Sequence, residues 1–130
     1  TMLVGGQRRG GRHRLFQVYA AGNFIEATAD TPYFQIGEHK YGKPILDRVL
    51  TINTPMKDAI KAAMVSMDST LRSNLSVGMP LDVSIIRGDS MEFATQRRID
   101  ADDPNFSEIS DRWSEALRNA FQTLPEMTDD

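Results

Sequence analysis

The sequence contains no cysteine among its 130 residues. This absence excludes disulfide bridges, a cysteine nucleophile and thiolate metal sites, and it fits a reducing cytosol. The sequence also has no apolar run near the ~20 residues that a helix needs to cross a bilayer, and no secretory signal pattern is visible in it. We therefore predict a cytoplasmic protein without a membrane partner.

An excess of charge of one sign is lacking as well. The net charge is -3, and charged residues make up 25% of the sequence while hydrophobic residues make up 40%, which is ordinary for one globular domain. The basic clusters at 8–14 and 97–98 are short and are offset by acidic residues elsewhere, so they predict a solvated face. We therefore expect no nucleic-acid partner.

Residues suited to a metal or a cofactor are few. The only histidines are His13 and His39, and their spacing does not match a zinc site. The acidic residues at 100, 102 and 103 lack the spacing of a calcium loop, and Asp103 is better explained as a helix cap. The glycine pairs at 5–6 and 10–11 are too sparse for a nucleotide loop. We expect no metal and no cofactor.

The hydrophobic pattern predicts one α+β domain over residues 1–125 and a frayed tail over 126–130. Thr54 and Pro55 mark a helix start, with Thr54 as the capping residue. That helix has a predicted buried stripe consisting of Met56, Ile60, Ala63, Met64, Met67 and Leu71. The predicted strands are 2–4, 14–19, 23–27, 33–36, 81–85 and 91–99, and the predicted helices cover 41–50, 54–71 and 103–121.

Four segments and the order of the predicted elements carry a more specific signal. This signal covers residues 2 to 100. The segments are Leu3–Gly6, Arg14–Phe16 followed by Gly22–Ala27, Phe34–Arg48, and Pro80–Ser84. This linear pattern resembles the second half of proteasome beta-type subunits. Within these subunits it is most similar to the bacterial ancestral-beta-subunit group of proteasome-type peptidases, often called Anbu.

The resemblance implies part of a four-layer αββα sandwich of the N-terminal-nucleophile hydrolase type. Members of this family hydrolyse peptide bonds with an N-terminal threonine, whose α-amino group serves as the general base. An acidic residue and a lysine from the first half of the domain assist it. The resemblance also implies a substrate wall and an oxyanion region at Gly37, Glu38, His39 and Lys40.

Ser76 resembles the serine of a supporting Asp-x-x-Ser-Gly motif in the family. The sequence departs from that motif, because Ser73 occupies the place of the acid and Val77 separates Ser76 from Gly78. The departure puts a role in proton handling in doubt. The end of a helix over residues 74–78 explains the segment equally well.

Thr1 superficially resembles the mature start of a proteasome subunit. No aspartate or lysine lies between Thr1 and Asp30, however, and alignment of the whole chain with the family places Thr1 deep inside the domain. We therefore expect no catalytic residue in this chain and interpret Thr1 as the product of a cut in a longer chain.

These observations predict a threonine-type peptidase subunit of a self-compartmentalised homo-oligomer, present here without its nucleophile-bearing N-terminal half and inactive alone. Its partners would be a peptide or protein substrate, the missing half and further copies. Trp113 and Phe121 are candidate interface anchors, although burial in their own subunit is as good an explanation. A noncatalytic scaffold with the same fold is the alternative, and a complete small hydrolase that uses Thr1 is a third hypothesis.

Overall fold

Residues 1–129 are described by a computed structural model, and within them the chain forms five strands and three helices. The strands make two antiparallel sheets, so the mixed α+β architecture predicted from the sequence is confirmed. In chain order the elements are β1 (Met2–Gln7), β2 (His13–Val18), β3 (Phe24–Glu26), α1 (Lys43–Val49), α2 (Met56–Ser73), β4 (Leu81–Ile86), β5 (Phe93–Ile99) and α3 (Pro104–Gln122).

The first sheet consists of two consecutive hairpins with the strand order β1-β2-β3. Its register places Met2 opposite Val18. At the second hairpin tip Gly22 has a φ of +90°, a conformation that glycine adopts without steric cost, and its amide donates to the Tyr19 carbonyl at 2.9 Å. The hairpin predicted around Gly22 is therefore confirmed.

One face of the first sheet is uncovered. The register places five apolar residues on this face, which we call the open face; they are Met2, Val4, Phe16, Val18 and Phe24. Met2 is 56% exposed and Phe24 is 64% exposed, although Phe16 and Phe24 meet edge to face with their ring centroids 5.8 Å apart. Apolar side chains of this size usually lie inside a folded protein.

The hydrophobic core lies between the second sheet and the helices α2 and α3. Leu81 of β4 pairs with Ile99 of β5, and both side chains pack with Met64 of α2 and Phe106 of α3 in one buried cluster. The alternation of apolar residues in β4 puts Leu81 and Val83 on the side that faces this cluster. The second sheet thus has a helical layer on one face.

The last helix begins as the sequence predicts. The Asp103 carboxylate accepts a hydrogen bond from the Phe106 amide at 2.9 Å, and Pro104 occupies the first helical turn. The first turns of α3 pack on the core through Phe106. Residues 115–122 of the same helix are exposed, with Leu117 at 50% and Phe121 at 69% exposure.

Two predictions for α2 were wrong. Pro55 occupies the cap position, and the Thr54 hydroxyl instead accepts from the Thr51 amide at 2.9 Å, because the loop before the helix uses this group. In the predicted buried stripe, Met56 and Ala63 are exposed, whereas Ala62 and Val65, outside the stripe, are buried. The buried surface is wider than one stripe because α2 packs against α1 on one side and against the core on another.

The predicted strand at 33–36 is also wrong. These residues have no regular secondary structure, and no neighbouring strand pairs with them in the described part of the chain. Without a partner strand, an apolar alternation alone does not form a sheet. Residues 126–129 are likewise irregular, and the predicted frayed tail extends to Asp130, which lies outside the described residues.

The accessible surface is large for the mass of the chain. It amounts to 9965 Å², whereas a compact monomer of 14.6 kDa exposes roughly 6,900 Å². The excess of about 3,000 Å² is larger than the roughly 1,000–2,500 Å² that each partner contributes to a large obligate interface. The chain therefore carries surface that would normally be covered.

The contact of α1 with α2 depends on the absence of a side chain at Gly42. A Cβ atom added to Gly42 would lie 2.0 Å from Ser66 Oγ and 3.0 Å from the Ser66 carbonyl oxygen. The serine hydroxyl could rotate away, but the backbone oxygen belongs to a buried helix. The two helices can approach this closely only with glycine at this position.

We expect Gly42→Ala to lower the free energy of unfolding by about 1–3 kcal/mol, because the added methyl group forces α1 away from α2. Chemical denaturation followed by circular dichroism measures this change. Gly6→Ala is the matched control, since a Cβ atom there meets nothing within 4 Å. Equal effects of the two substitutions would contradict the packing account.

Candidate functional site

The predicted substrate-wall turn at 37–40 lies directly before α1. Gly37 has a φ of +73°, which favours glycine. His39 Nδ1 lies 3.0 Å from the Gly37 carbonyl oxygen, and this contact folds the imidazole back onto the turn. Glu38 and Lys40 are exposed. The turn thus presents backbone and polar side chains to solvent, and its role in catalysis stays a prediction.

Ser76 lies in the turn that follows α2. The Asn74 side-chain oxygen accepts from the Ser76 amide at 2.9 Å and from the Ser76 hydroxyl at 2.7 Å. An amide oxygen does not take up a proton at neutral pH, so this contact does not activate the hydroxyl as a nucleophile. Asn74 is also the C-cap residue that follows α2. The geometry of this segment is therefore that of a helix C-terminus.

Thr1 is exposed at the start of β1. Within the described residues it makes no hydrogen bond or ion pair through its hydroxyl or its amino group. A threonine nucleophile needs a positioned general base and neighbouring charges that lower the barrier to proton transfer. Within residues 1–129, no acidic or basic side chain is hydrogen-bonded or ion-paired to Thr1.

A polar cluster that the sequence reasoning missed lies beside the turn. Lys43 Nζ is 2.9 Å from each carboxylate oxygen of Asp47, and the Tyr33 hydroxyl donates to the same carboxylate. The lysine nitrogen also lies 5.7 Å from the centroid of the Tyr33 ring. The spacing of Lys43 and Asp47, four residues apart on a helix, was the available signal for this pair.

The cluster shifts the pKa of each of its members. The hydrogen bond from Tyr33, followed by that from Lys43, lowers the pKa of Asp47. Burial and then the neighbouring Asp47 carboxylate raise the pKa of Tyr33. The hydrogen bond to Asp47 raises the pKa of Lys43. All three shifts favour an ionised Asp47 with a neutral Tyr33 and a charged Lys43 at neutral pH.

A cavity of about 460 Å³ lies next to this cluster, between the first sheet and α1. It is lined by Tyr33, Lys43 and Asp47 together with His39 from the predicted substrate wall. Gln35 also lines it, and its side-chain oxygen is buried without a partner in the described part of the chain. An unpaired buried acceptor is energetically costly.

Two further features bear on function, namely metal ligands and membrane-spanning helices. Within residues 1–129, histidine, aspartate and glutamate side chains do not converge in a group of three that could hold a metal ion. No helix in the same range combines the length and the hydropathy needed to span a bilayer.

Comparison with solved structures gives strong similarities. Anbu (ancestral beta-subunit) from Yersinia bercovieri shares 57% identity over 97% of this chain with a TM-score of 0.93. A Gly-1 mutant of Anbu from Hyphomicrobium sp. strain MC1 shares 56% identity over 97% of the chain with a TM-score of 0.94. The helical assembly of the Anbu complex from Pseudomonas aeruginosa shares 49% identity over 98% with a TM-score of 0.90.

The chain spans about half the length of these relatives, with 54% of the first two and 53% of the third covered. No protein-family model and no curated protein matches the chain.

We expect Tyr33→Phe to raise the pKa of Asp47 toward its ordinary value, because the hydrogen bond from Tyr33 is the largest cause of the shift. The carboxyl titration of Asp47, followed by NMR, measures the change. A depressed pKa means that the ionised Asp47 stabilises the fold above the unfolded pKa, and this contribution is lost as the pH falls through the folded pKa.

The titration of Asp82 provides the control. The pKa of Asp82 is lowered by Arg98 on the neighbouring strand, and this pair does not involve Tyr33. Tyr33→Phe should leave it unchanged. An unchanged pKa of Asp47, or an equal shift in the pKa of Asp82, would refute the assignment of Tyr33 as the main hydrogen-bond donor to Asp47.

Proposed function

This chain belongs to the Anbu family of ancestral beta-subunit proteins, and from that membership we propose that it is the C-terminal half of a proteasome-like, threonine-type peptidase subunit. In this proposal the other half of the domain supplies the N-terminal threonine, the acid and the lysine. The whole subunit hydrolyses peptide bonds, and the chain described here contributes one part of the substrate wall.

The observation that carries the proposal is the combination of close similarity with half coverage. A TM-score of 0.93 at 57% identity means that the matched residues have the same fold as the relative. The relative contains nearly as many further residues outside the matched part. The proposed whole domain is an αββα sandwich, in which each sheet has one face against the other sheet and one against helices.

The uncovered surface supports the same proposal. The open face carries Met2, Val4 and Phe24 at 56%, 45% and 64% exposure. In an αββα sandwich every sheet face is covered, so a segment beyond the described residues would bury this one. The gain is about 25 cal/mol for each Å² of apolar surface removed from water, which makes coverage of a face of this size strongly favourable.

The site assignment rests on the resemblance of the turn at 37–40 to the family pattern. We assign its backbone amides to the oxyanion region and the side chains of Glu38, His39 and Lys40 to the substrate wall. His39 also lines the cavity beside Tyr33 and Lys43. We assign Ser76 a supporting role only, since its hydroxyl is hydrogen-bonded to an amide.

Assembly is part of the proposal. The Anbu complex from Pseudomonas aeruginosa is described as a helical assembly. We propose that copies of this protein also associate with one another and that enclosure within the homo-oligomer restricts access to the peptidase sites. We further propose that the protein acts in the cytoplasm on peptide or protein substrates.

A noncatalytic scaffold is the second candidate function. Its specific support is that Thr1 makes no hydrogen bond or ion pair within the described residues and that the Ser76 hydroxyl donates to Asn74. Neither contact pattern activates these two hydroxyls as nucleophiles. This function requires the same fold and the same assembly, but it predicts no covalent chemistry.

The decisive experiment uses the protein expressed from its whole reading frame and an electrophilic peptide that modifies N-terminal threonine. We expect peptide hydrolysis, and we expect the label on a species that begins with a threonine outside residues 1–130. Denaturing intact-mass spectrometry with N-terminal sequencing locates the label. Thr1→Ala is the matched control and should leave both labelling and hydrolysis unchanged.

The other outcomes overturn the proposal in different ways. A label on Thr1 itself, lost in Thr1→Ala, would establish this chain as a complete small hydrolase. The absence of both label and hydrolysis, in a protein that still assembles, would leave the scaffold as the function.

A further inference from the structure

The loop that contains the turn at 37–40 is held at both of its ends by one carboxylate. Tyr33 lies at the start of this loop, and Lys43 lies at its end, where α1 begins. The Tyr33 hydroxyl and the Lys43 ammonium group both donate to Asp47, and each lysine contact is 2.9 Å long. The two flanks of the loop therefore meet at a single side chain of α1.

The backbone of the loop supplies few contacts of its own. Within residues 1–129, no amide of residues 34–42 donates a hydrogen bond to a backbone carbonyl. The loop contains only the bond from the Lys43 amide to the His39 carbonyl, at 3.0 Å, and the imidazole contact of His39 with the Gly37 carbonyl. A segment with so few backbone bonds has little local stability, so its conformation depends on the side chains that hold its ends.

The unpaired amides of the turn are the groups that the proposed oxyanion region requires. Such a region consists of N–H groups that have no other acceptor and are held where negative charge develops in the transition state. The amides of residues 37–40 meet the first condition within the described part of the chain. Displacement of a catalytic group by about 1 Å can slow a reaction severely, so the second condition calls for a support outside the turn.

The helix α1 is a firm base for this support. Leu46 of α1 is buried, and the close approach of Gly42 to Ser66 fixes the start of the helix against α2. A functional segment is held more precisely when its support lies on a packed helix. The next residue, Asp47, is thus presented to the loop from a fixed position.

The contact from Tyr33 matters more here than the ion pair. The side chains of Lys43 and Asp47 are 52% and 51% exposed, and an exposed pair four residues apart stabilises a helix only slightly. Tyr33 is half-buried and lies outside the helix, so its bond to Asp47 joins the start of the loop to α1. The Lys43 ammonium group lies 5.7 Å from the centroid of the Tyr33 ring and holds the ring in place from the other side.

We propose that Asp47 is a positioning residue, which holds the turn at 37–40 in the geometry that peptide hydrolysis requires by binding Tyr33 and Lys43 at the two ends of the loop. This inference rests on the proposed function, because it concerns the oxyanion region assigned to the turn. Asp47 acts through the loop and does not touch the substrate.

The test measures peptide hydrolysis by variants of the protein expressed from its whole reading frame. We expect Asp47→Ala to lower kcat about tenfold, because displaced amides stabilise the transition state less well. KM should stay within about twofold of its original value, since these amides meet a charge that develops only in the transition state. Asp47→Glu keeps a carboxylate and should lose less activity than Asp47→Ala.

Glu108→Ala is the matched control. It breaks another exposed ion pair between residues four apart on a helix, in which Arg112 Nη2 lies 2.9 Å from Glu108 Oε1. This pair lies on α3 and has no contact with the loop. Glu108→Ala should therefore leave both kcat and KM unchanged.

A double-mutant cycle tests whether Tyr33 acts through Asp47. Tyr33→Phe removes only the hydroxyl, and the double variant Tyr33→Phe/Asp47→Ala should have the kcat of Asp47→Ala alone, because both substitutions break the same contact. The electrophilic peptide reports on folding: in each variant the rate of labelling should fall, while the total amount of labelled protein at long times stays that of the unchanged protein.

The contrary outcomes are separable. If the unchanged protein hydrolyses peptides and Asp47→Ala is as active as Glu108→Ala, this inference is overturned and the proposed function stands. Independent, multiplying effects of Tyr33→Phe and Asp47→Ala would also overturn it, as would a loss of total label that accounts for the fall in kcat. An unchanged protein that neither hydrolyses peptides nor takes up label would overturn the proposed function, and this inference with it.

Discussion

Coverage of the first sheet is the constraint on which the rest of the structure depends. Three short strands hold an apolar face that includes Met2, Val4 and Phe24, and residues 1–129 place nothing on it. A sheet of this size gains little stability from hydrogen bonds alone, since its energy comes mainly from burial of a face. The proposed second half of the domain would meet this requirement and cover part of the excess surface of about 3,000 Å².

The helix α2, in contrast to the first sheet, is largely covered. α2 is packed between α1 and the core, and its buried residues include the polar side chains of Ser66, Asp68 and Thr70. Two of these side chains are hydrogen-bonded: the Thr70 hydroxyl donates to the Ser66 backbone carbonyl, and Asp68 accepts from the Ser110 hydroxyl at 2.6 Å. The Ser110 bond joins α2 to α3. The later turns of α3, residues 115–122, are exposed.

The sequence predicted the elements well where a local signal decides them. Gly22 and Asp103 determine a hairpin and a helix start through backbone conformation and capping, so both were predictable. The strand at 33–36 failed because pairing depends on a partner strand that no local pattern reveals. The cluster of Tyr33, Lys43 and Asp47 was missed for a similar reason, since Tyr33 reaches α1 only in the folded chain. The family resemblance supplied the turn at 37–40, which periodicity alone would not have singled out.

Hydrogen exchange at β1 tests the central claim most directly. In residues 1–129 this strand pairs with β2 along one edge only, so part of its amides are open to water. If a further segment covers the open face and pairs with the free edge of β1, the amides of Met2–Gln7 that β2 leaves unpaired should be protected in the protein expressed from its whole reading frame. They should exchange rapidly in the 130-residue chain alone. Equal, rapid exchange of β1 in both proteins would contradict the account.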